Sequence, residues 1–243
     1  MNKTPVIALL GQPNSGKSTI FNMMTGSHQH VGNWPGKTID QKEGEFRYNG
    51  KQMILADLPG SYSLSAGSDE EIITKDYIAS GNADLVLVMA DASQLKRSLY
   101  MLADFVGTKV PAVLVLNMMD VAQGQGITVD VNKLSEKLGI PVVLMSAIRK
   151  KDYQTLYSVI EKSLNQKPVI HSESLSSARE KMQFIDTLLD NVLTTSKTVK
   201  KAFTNFDKKA LLPVSFPVLL LLFSFLLPLH SAPYLKILAF MHS

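Results

Sequence analysis

The chain has 243 residues, of which 45% are hydrophobic and 19% charged, so it can form one large folded domain with an appendage. It contains no cysteine, which excludes disulfide frameworks, thiolate metal centres and a cysteine nucleophile. The formal net charge of +4 arises after residue 165, because basic and acidic side chains are equal in number before it. The first residues lack the long apolar core of a secretory signal, which predicts that the first domain stays in the cytoplasm.

Short apolar runs alternate with helical patterns along the first two thirds of the chain. Residues 6–10 are predicted as a buried strand, and residues 18–24 as the helix that follows it. Asn49-Gly50 predicts a hairpin between strands at 44–48 and 52–56. This alternation indicates an α/β fold with a mostly parallel sheet and helices on both faces. Further strands are predicted at 84–90, 112–116 and 141–145, and helices near 70–80, 93–106, 131–138 and 153–164.

The last third of the chain has a different character. We predict the α/β domain over 1–166, then a short helical domain and linker over 167–209, with helical apolar spacing at 178–193. Residues 210–235 carry no Lys, Arg, Asp or Glu, which predicts a transmembrane or re-entrant segment. The alternative is a buried or interfacial hydrophobic hairpin broken at Pro213, Pro217 and Pro228. By the positive-inside tendency, the lysines just before this segment predict that the N-terminal domain is cytoplasmic, and the alternative is that they form only a solvated helix face.

Residues 11–18 are GQPNSGKS and match the phosphate-loop pattern G-x-x-x-x-G-K-[ST]. The loop lies between a predicted strand and a predicted helix, as the motif requires. Its backbone N–H groups and the helix N-terminus attract phosphate oxygens. We expect Lys17 to reach the β- and γ-phosphates and the Ser18 hydroxyl to bind Mg²⁺. The other loop positions expected to contact the nucleotide are Gly11, Pro13, Asn14, Ser15, Gly16 and Thr19.

Further candidates surround the expected metal and γ-phosphate. Asp57 follows a predicted strand and is expected to hold Mg²⁺, while the N–H of Gly60 is expected to contact the γ-phosphate. Thr38 lies in a loop rich in Gly, Asn and Pro, where a γ-phosphate-sensing switch belongs, and its hydroxyl is expected to complete the Mg²⁺ shell. Gly36 in the same loop is also expected to contact the nucleotide.

Two segments after later strands predict guanine recognition. Asp120, in the sequence Asn117-Met118-Met119-Asp120, can accept hydrogen bonds from the N1–H and amino group of guanine. Adenine lacks this donor pair, so the motif favours GTP over ATP. Ser146 and Ala147 follow the next predicted strand, and their backbone can contact the guanine O6. We expect Asn117, Met118, Asp120, Ser146 and Ala147 to bind the nucleotide.

These motifs together resemble the cytosolic GTPase region of the FeoB-type ferrous iron transporters of prokaryotes. The sequence HVGNWPG at 30–36, followed by Thr38, is similar to the switch I of that family, and DLPGSYSL at 57–64 to its switch II. The resemblance implies a slow GTPase with Mg²⁺ and an activating K⁺ held by Asn14. It also implies catalytic roles for Asn14, Lys17, Thr38 and Gly60. Ser61 stands where Ras-like enzymes carry glutamine, so switch I backbone would position the water.

The same resemblance implies a setting for the domain. It places the chain at the cell inner membrane with the GTPase domain on the cytoplasmic face. The expected partners are GTP, the membrane, the remaining transporter membrane domain and small accessory Feo proteins, with no nucleic acid. Residues 178–189 resemble the end of a helical domain that tunes GDP binding. The chain departs from the family pattern at Lys37, where an apolar residue is common, and after Ala147, where a glycine usually follows.

Two alternatives to a transporter GTPase remain at this point. A stand-alone GTPase of the ribosome-assembly type would need an RNA-binding module, and no G-x-x-G loop with basic flanks follows the GTPase region. A truncated fragment that only binds nucleotide is the other alternative.

Overall fold

The structure is a computed structural model that describes residues 3–26, 28–35, 37–65 and 67–195. Gly36, the end of the predicted helical domain and the predicted membrane segment at 210–235 lie outside the described residues. Within the described ranges, the helices are too short or too polar to cross a bilayer.

A seven-stranded sheet forms the centre of the fold, with strand order β2-β3-β4-β1-β5-β6-β8. β2 pairs antiparallel with β3 and β3 with β4, whereas the other neighbours are parallel. A second sheet pairs β7 with β9. The strands are β1 Val6–Gly11, β2 Gln29–Asn33, β3 Asp40–Tyr48, β4 Lys51–Asp57, β5 Leu85–Asp91, β6 Ala112–Asn117, β7 Ile127–Val129, β8 Val142–Leu144 and β9 Leu193–Thr195.

Helices cover both faces of the large sheet. Ile7 and Leu9 of β1 face a core that includes α1 and α6, while Ala8 and Leu10 face a core that includes α2, α3, α5 and α7. All four side chains are fully buried, because β1 lies in the middle of the sheet with both faces covered. Its sequence is therefore a continuous apolar run and does not alternate between apolar and polar residues. This confirms the predicted α/β fold. The helices are α1 Lys17–Thr25, α2 Asp69–Ala79, α3 Leu95–Phe105, α4 Met119–Gly124, α5 Val131–Leu138, α6 Asp152–Gln166 and α7 Ala178–Leu189, with a 3-10 turn at Ala92–Gln94.

Parallel pairing brings the predicted motifs to one edge of the sheet. β1 ends at the phosphate loop, β4 at Asp57, β6 at Asn117 and β8 just before Ser146. Because the carboxyl ends of parallel strands lie side by side, motifs that are far apart in sequence meet there.

The chain after α6 differs from its sequence prediction. The predicted helix over 178–193 is wrong beyond Leu189, because Asn191 has φ of 55° and the chain then forms β9. Lys137 at the end of α5 donates to the carbonyl oxygens of Thr187 at 2.8 Å and Asp190 at 2.7 Å, which caps α7. The domain division at residue 166 stays a prediction, and the β7–β9 ladder crosses it.

Candidate nucleotide-binding site

The phosphate loop joins β1 to α1 and needs glycine at two positions. A Cβ atom on Gly11 would lie 2.8 Å from the Cβ of Met89 in β5, so a side chain there would push the two strands apart. Gly16 has φ of 92°, and a Cβ at this position would overlap the Asn117 amide. Asn14 also adopts positive φ, 64°, and is exposed at the tip of the loop.

Asn117 connects the phosphate loop to the loop after β8. Its Nδ2 donates to the backbone oxygen of Ser15 at 2.9 Å, and its Oδ1 accepts from the Ala147 N–H at 2.8 Å. The side chain is only 2% exposed. Its amide therefore holds these two loops together, and direct contact of Asn117 with the nucleotide stays a prediction.

Asp120 is oriented by the hydroxyl of Ser146. That hydroxyl donates to Asp120 Oδ1 at 2.6 Å and accepts from the Asp120 backbone N–H at 3.2 Å. The bond from Ser146 is the main cause that lowers the pKa of Asp120 below its usual value. Asp120 is thus ionised near neutral pH, with the acceptor character that guanine donors require. Met118, in the left-handed conformation with φ of 60°, lines the same groove as the phosphate loop.

Two residues at the start of α6 support this region and were missed by the sequence analysis. Asp152 Oδ2 accepts from the Ser146 N–H at 2.9 Å, and the Tyr153 hydroxyl donates to the Ala147 oxygen at 2.7 Å. Burial is the main cause that raises the pKa of Tyr153, which keeps this hydroxyl protonated as a donor. The sequence signal that could have identified Asp152 is its position as an acidic residue in the first turn of the helix that follows the Ser146-Ala147 loop.

Lys17 and Asp57 meet beneath the phosphate loop. Lys17 Nζ lies 3.7 Å from Asp57 Oδ1, and both side chains are 9% exposed. Burial raises the pKa of Asp57, while the positive charges of Lys17 and Lys42 oppose that shift. Within the described chain, Asp57 Oδ1 and Ser15 Oγ are buried without hydrogen-bond partners. Buried oxygens without partners are costly, so these atoms fit a site that a hard cation and a phosphate would complete.

The switch residues are only partly assembled around this site. Gly60 lies beside the phosphate loop, since a Cβ there would come within 3.4 Å of Pro13. Ser18 is exposed at the start of α1, and Asn14, Lys17, Ser18 and Thr19 line the groove with Met118. Thr38 is exposed in the loop between β2 and β3. In the part of the chain that the structure describes, no hydrogen bond joins it to the phosphate loop.

The sequence pattern of the family "Ferrous iron transport protein B" matches residues 5–160. The chain belongs to this family. It is 43% identical over 164 residues to the Fe(2+) transporter FeoB of Salmonella typhimurium strain LT2, covering 66% of this chain and 21% of that protein. FeoB of Escherichia coli K12 is 42% identical over the same length. The chain thus spans about 21% of the length of the curated relatives it matches.

Solved FeoB domains share the fold. The cytosolic domain of T. maritima FeoB in a GDP form aligns with a TM-score of 0.69 at 26% identity, over 80% of this chain and 100% of that one. The isolated G domain of the same protein aligns with a TM-score of 0.62 at 38% identity, over 66% and 99%. The chain therefore carries the GTP-binding G domain of a FeoB-type protein, and this domain is a GTPase.

Proposed function

We propose that this chain binds GTP at the phosphate-loop groove, hydrolyses it slowly and thereby regulates ferrous iron uptake through a membrane transporter. The observation that carries the nucleotide assignment is the Asp120 carboxylate, which Ser146 orients beside the loops that Asn117 joins. An ionised carboxylate fixed in this way selects a base with two adjacent donors. The cytosolic domain of T. maritima FeoB, which was solved in GDP and GMPPNP forms, supports the same assignment.

Calorimetry with GTP, GDP and ATP tests the nucleotide assignment. We expect the guanine nucleotides to bind at least about 100-fold more tightly than ATP, because adenine leaves the Asp120 acceptors unpaired. Asp120→Ala should remove this preference. Asp186→Ala, which removes an exposed carboxylate on α7, should retain it. Equal affinity of the parent protein for ATP and GTP would contradict the assignment.

Magnesium would be held by Ser18, Thr38 and Asp57, and it supplies positive charge to the β- and γ-phosphates. Asp57 Oδ1 fits this use, since it has no hydrogen-bond partner in the described chain and a carboxylate oxygen is a preferred Mg²⁺ ligand. Mg²⁺ binding requires the ionised carboxylate, so affinity should fall as pH falls through the pKa of Asp57. Because burial raises that pKa, the loss should begin at higher pH than for a free carboxylate. A pH titration of Mg²⁺-dependent nucleotide binding, compared with Asp57→Asn, measures this.

Hydrolysis would depend on charge and positioning around the transferred phosphoryl group. We assign Lys17 to neutralise the phosphate oxygens and the Gly60 N–H to hold the γ-phosphate. The short side chain of Ser61 is not suited to orient water as a glutamine does. Its hydroxyl is buried without a hydrogen-bond partner in the described chain. We therefore assign water positioning to switch I backbone, which predicts slow turnover.

Potassium is the proposed activator, bound through the side-chain carbonyl of Asn14. This residue is exposed at the tip of the phosphate loop and lines the groove, where a cation would offset negative charge on the phosphoryl oxygens. We expect turnover to be about tenfold faster in KCl than in NaCl at equal concentration. This effect is smaller than the rate loss of about 10²–10³-fold that follows removal of one electrostatic contact from a preorganised site. Asn14→Ala should abolish the difference. Equal parental rates in the two salts would refute the potassium role but leave the GTPase assignment intact.

We propose that residues 210–235 attach this domain to the inner membrane, with the GTPase on the cytoplasmic face. The proposed partners are the rest of a transporter membrane domain and small accessory Feo proteins. The uncharged composition of this segment supports the attachment. The full chain should partition with membranes, whereas a chain ending at residue 201 should remain in the supernatant. Recovery of the full chain as a soluble monomer without detergent would contradict the proposal.

A further inference from the structure

The loop of residues 34–39, which carries Thr38, is attached to helix α2 at two points. Lys37 Nζ donates to Oδ1 of Asp69, the first residue of α2, at 2.6 Å. The Trp34 ring packs edge-on against Tyr77 of α2, with ring centroids 5.4 Å apart and planes at 81°. Trp34 is 9% exposed and belongs to the core on that face of the sheet. These contacts fix the switch loop on α2.

The described part of the switch loop has no comparable attachment to the nucleotide groove. The groove is lined by phosphate-loop residues, the start of α1 and Met118. Among the described residues, neither a hydrogen bond nor an ion pair joins positions 34–39 to positions 11–19. Thr38 itself is exposed. The contacts of this loop among the described residues are therefore made with α2, and none of them joins Thr38 to the loop that carries Ser18.

We infer that Lys37 and Asp69 form a clasp that holds switch I on α2 and opposes the GTP-bound arrangement. This inference rests on the proposed function, because it concerns the Thr38 contact to a nucleotide-bound metal. GDP lacks the γ-phosphate that draws the switch loop inward, so GDP binding does not require the clasp to open. The clasp therefore weakens binding of the triphosphate selectively.

The Lys37–Asp69 ion pair and the Trp34–Tyr77 packing are both weak enough for ligand binding to break them. The Lys37 and Asp69 side chains are 35% and 56% exposed, so their attraction is modest and is screened by salt. Trp34 Nε1 is buried without a hydrogen-bond partner in the described chain, which makes the packed position of the ring less favourable. Asp69, Glu70 and Glu71 place negative charge in the first turn of α2, where the helix N-terminus favours it. The ion pair thus adds the electrostatic attraction that keeps the loop in place.

Trp34 is the single tryptophan of the chain, so its fluorescence reports directly on the clasp. We would titrate the full chain in detergent with GMPPNP and Mg²⁺, and separately with GDP. In the parent, GMPPNP should shift the Trp34 emission to longer wavelength as the ring leaves Tyr77. Lys37→Ala and Asp69→Asn should each lower the GMPPNP concentration at the midpoint about two- to fivefold, the range for an exposed ion pair. GDP affinity should not change.

Lys51→Ala is the matched control, because Lys51 forms an exposed ion pair with Glu161 at 2.9 Å on the other side of the sheet. It should behave as the parent does. High salt should bring the parent midpoint toward that of Lys37→Ala. If Lys37→Ala and Asp69→Asn both had the same GMPPNP midpoint as the parent, or bound GMPPNP more weakly, the inferred role of the clasp would be wrong. Failure of the parent to bind either nucleotide would instead overturn the proposed function on which the clasp rests.

Discussion

The guanine end and the switch end of the groove are built in different ways. At the guanine end, Asn117, Asp120, Ser146 and Ala147 make four hydrogen bonds of 2.6–3.2 Å, two of which are buried. At the switch end, Thr38 is exposed and its loop contacts α2. The residues that we propose to select the base are therefore arranged before the ligand arrives, whereas Thr38, the proposed last metal ligand, would be recruited by it.

Switch II gains its support from outside the motifs. Asp104 of α3 accepts from the Leu64 N–H at 2.8 Å and forms an ion pair with Lys181 of α7 at 2.5 Å. Lys181 also donates to the Ser65 hydroxyl at 3.2 Å. The side chains of Lys181 and Asp104 are only 11% and 2% exposed. Helix α7 thus supports residues 64 and 65, at the end of the proposed switch II that begins at Asp57.

Breaking this support should have the largest effect. Lys181→Met leaves the Asp104 carboxylate buried without its cation, which typically costs about 3–5 kcal/mol. We expect that loss in the free energy of unfolding from urea denaturation of the chain ending at residue 201.

The exposed pair between Lys96 and Asp186, 2.5 Å apart and also joining α3 to α7, provides the control. Lys96→Ala should cost less than about 1 kcal/mol, because both partners are more than half exposed. Similar losses for the two lysine variants would show that the buried pair does not support switch II.

Asn117→Ala should loosen the guanine end next. The substitution leaves the Ser15 oxygen and the Ala147 N–H without their partner, at about 1–3 kcal/mol each. We expect GDP affinity to fall at least about 30-fold, measured by calorimetry, since two binding loops lose their common anchor. Asn165→Ala removes an exposed bond within α6 and should leave affinity unchanged. A parental affinity in Asn117→Ala would mean that ligand alone can align the loops.

Tyr153→Phe should give the smallest effect at the same end. It removes one hydroxyl donor to the Ala147 oxygen, worth about 1 kcal/mol, so GDP affinity should fall about fivefold. The preference for GTP over ATP should persist, because Asp120 and Ser146 are untouched. Tyr157→Phe, one turn later on α6, is the matched aromatic control. Loss of base preference in Tyr153→Phe would show that the two functions of this loop are not separable.

Local motifs allowed most of the fold and much of the site to be predicted. The phosphate loop, Asp57 and the strand ends depend on short apolar runs and turn residues, which neighbouring sequence specifies. β2 was missed because it has no apolar alternation: Val31 is its single large apolar residue, and its side chain is 64% exposed. The bonds of Asp104 to Leu64 and Lys181 join segments 40 or more positions apart. No local pattern specifies such contacts. Nor does one specify that the Asn117 amide bonds to the backbone of Ser15 and Ala147.

The β7–β9 ladder determines where mechanical tension would enter the G domain. β9 ends at Thr195, and the chain continues from there toward residues 210–235. β9 pairs with β7, which follows directly after α4, the helix that carries Asp120. Force applied along the chain after Thr195 would therefore reach Asp120 through one short ladder and a two-residue turn. The carboxylate that we propose to recognise the base would thus lie next to the point where such a force enters, while Asp57 ends β4, three strands from β6 in the large sheet.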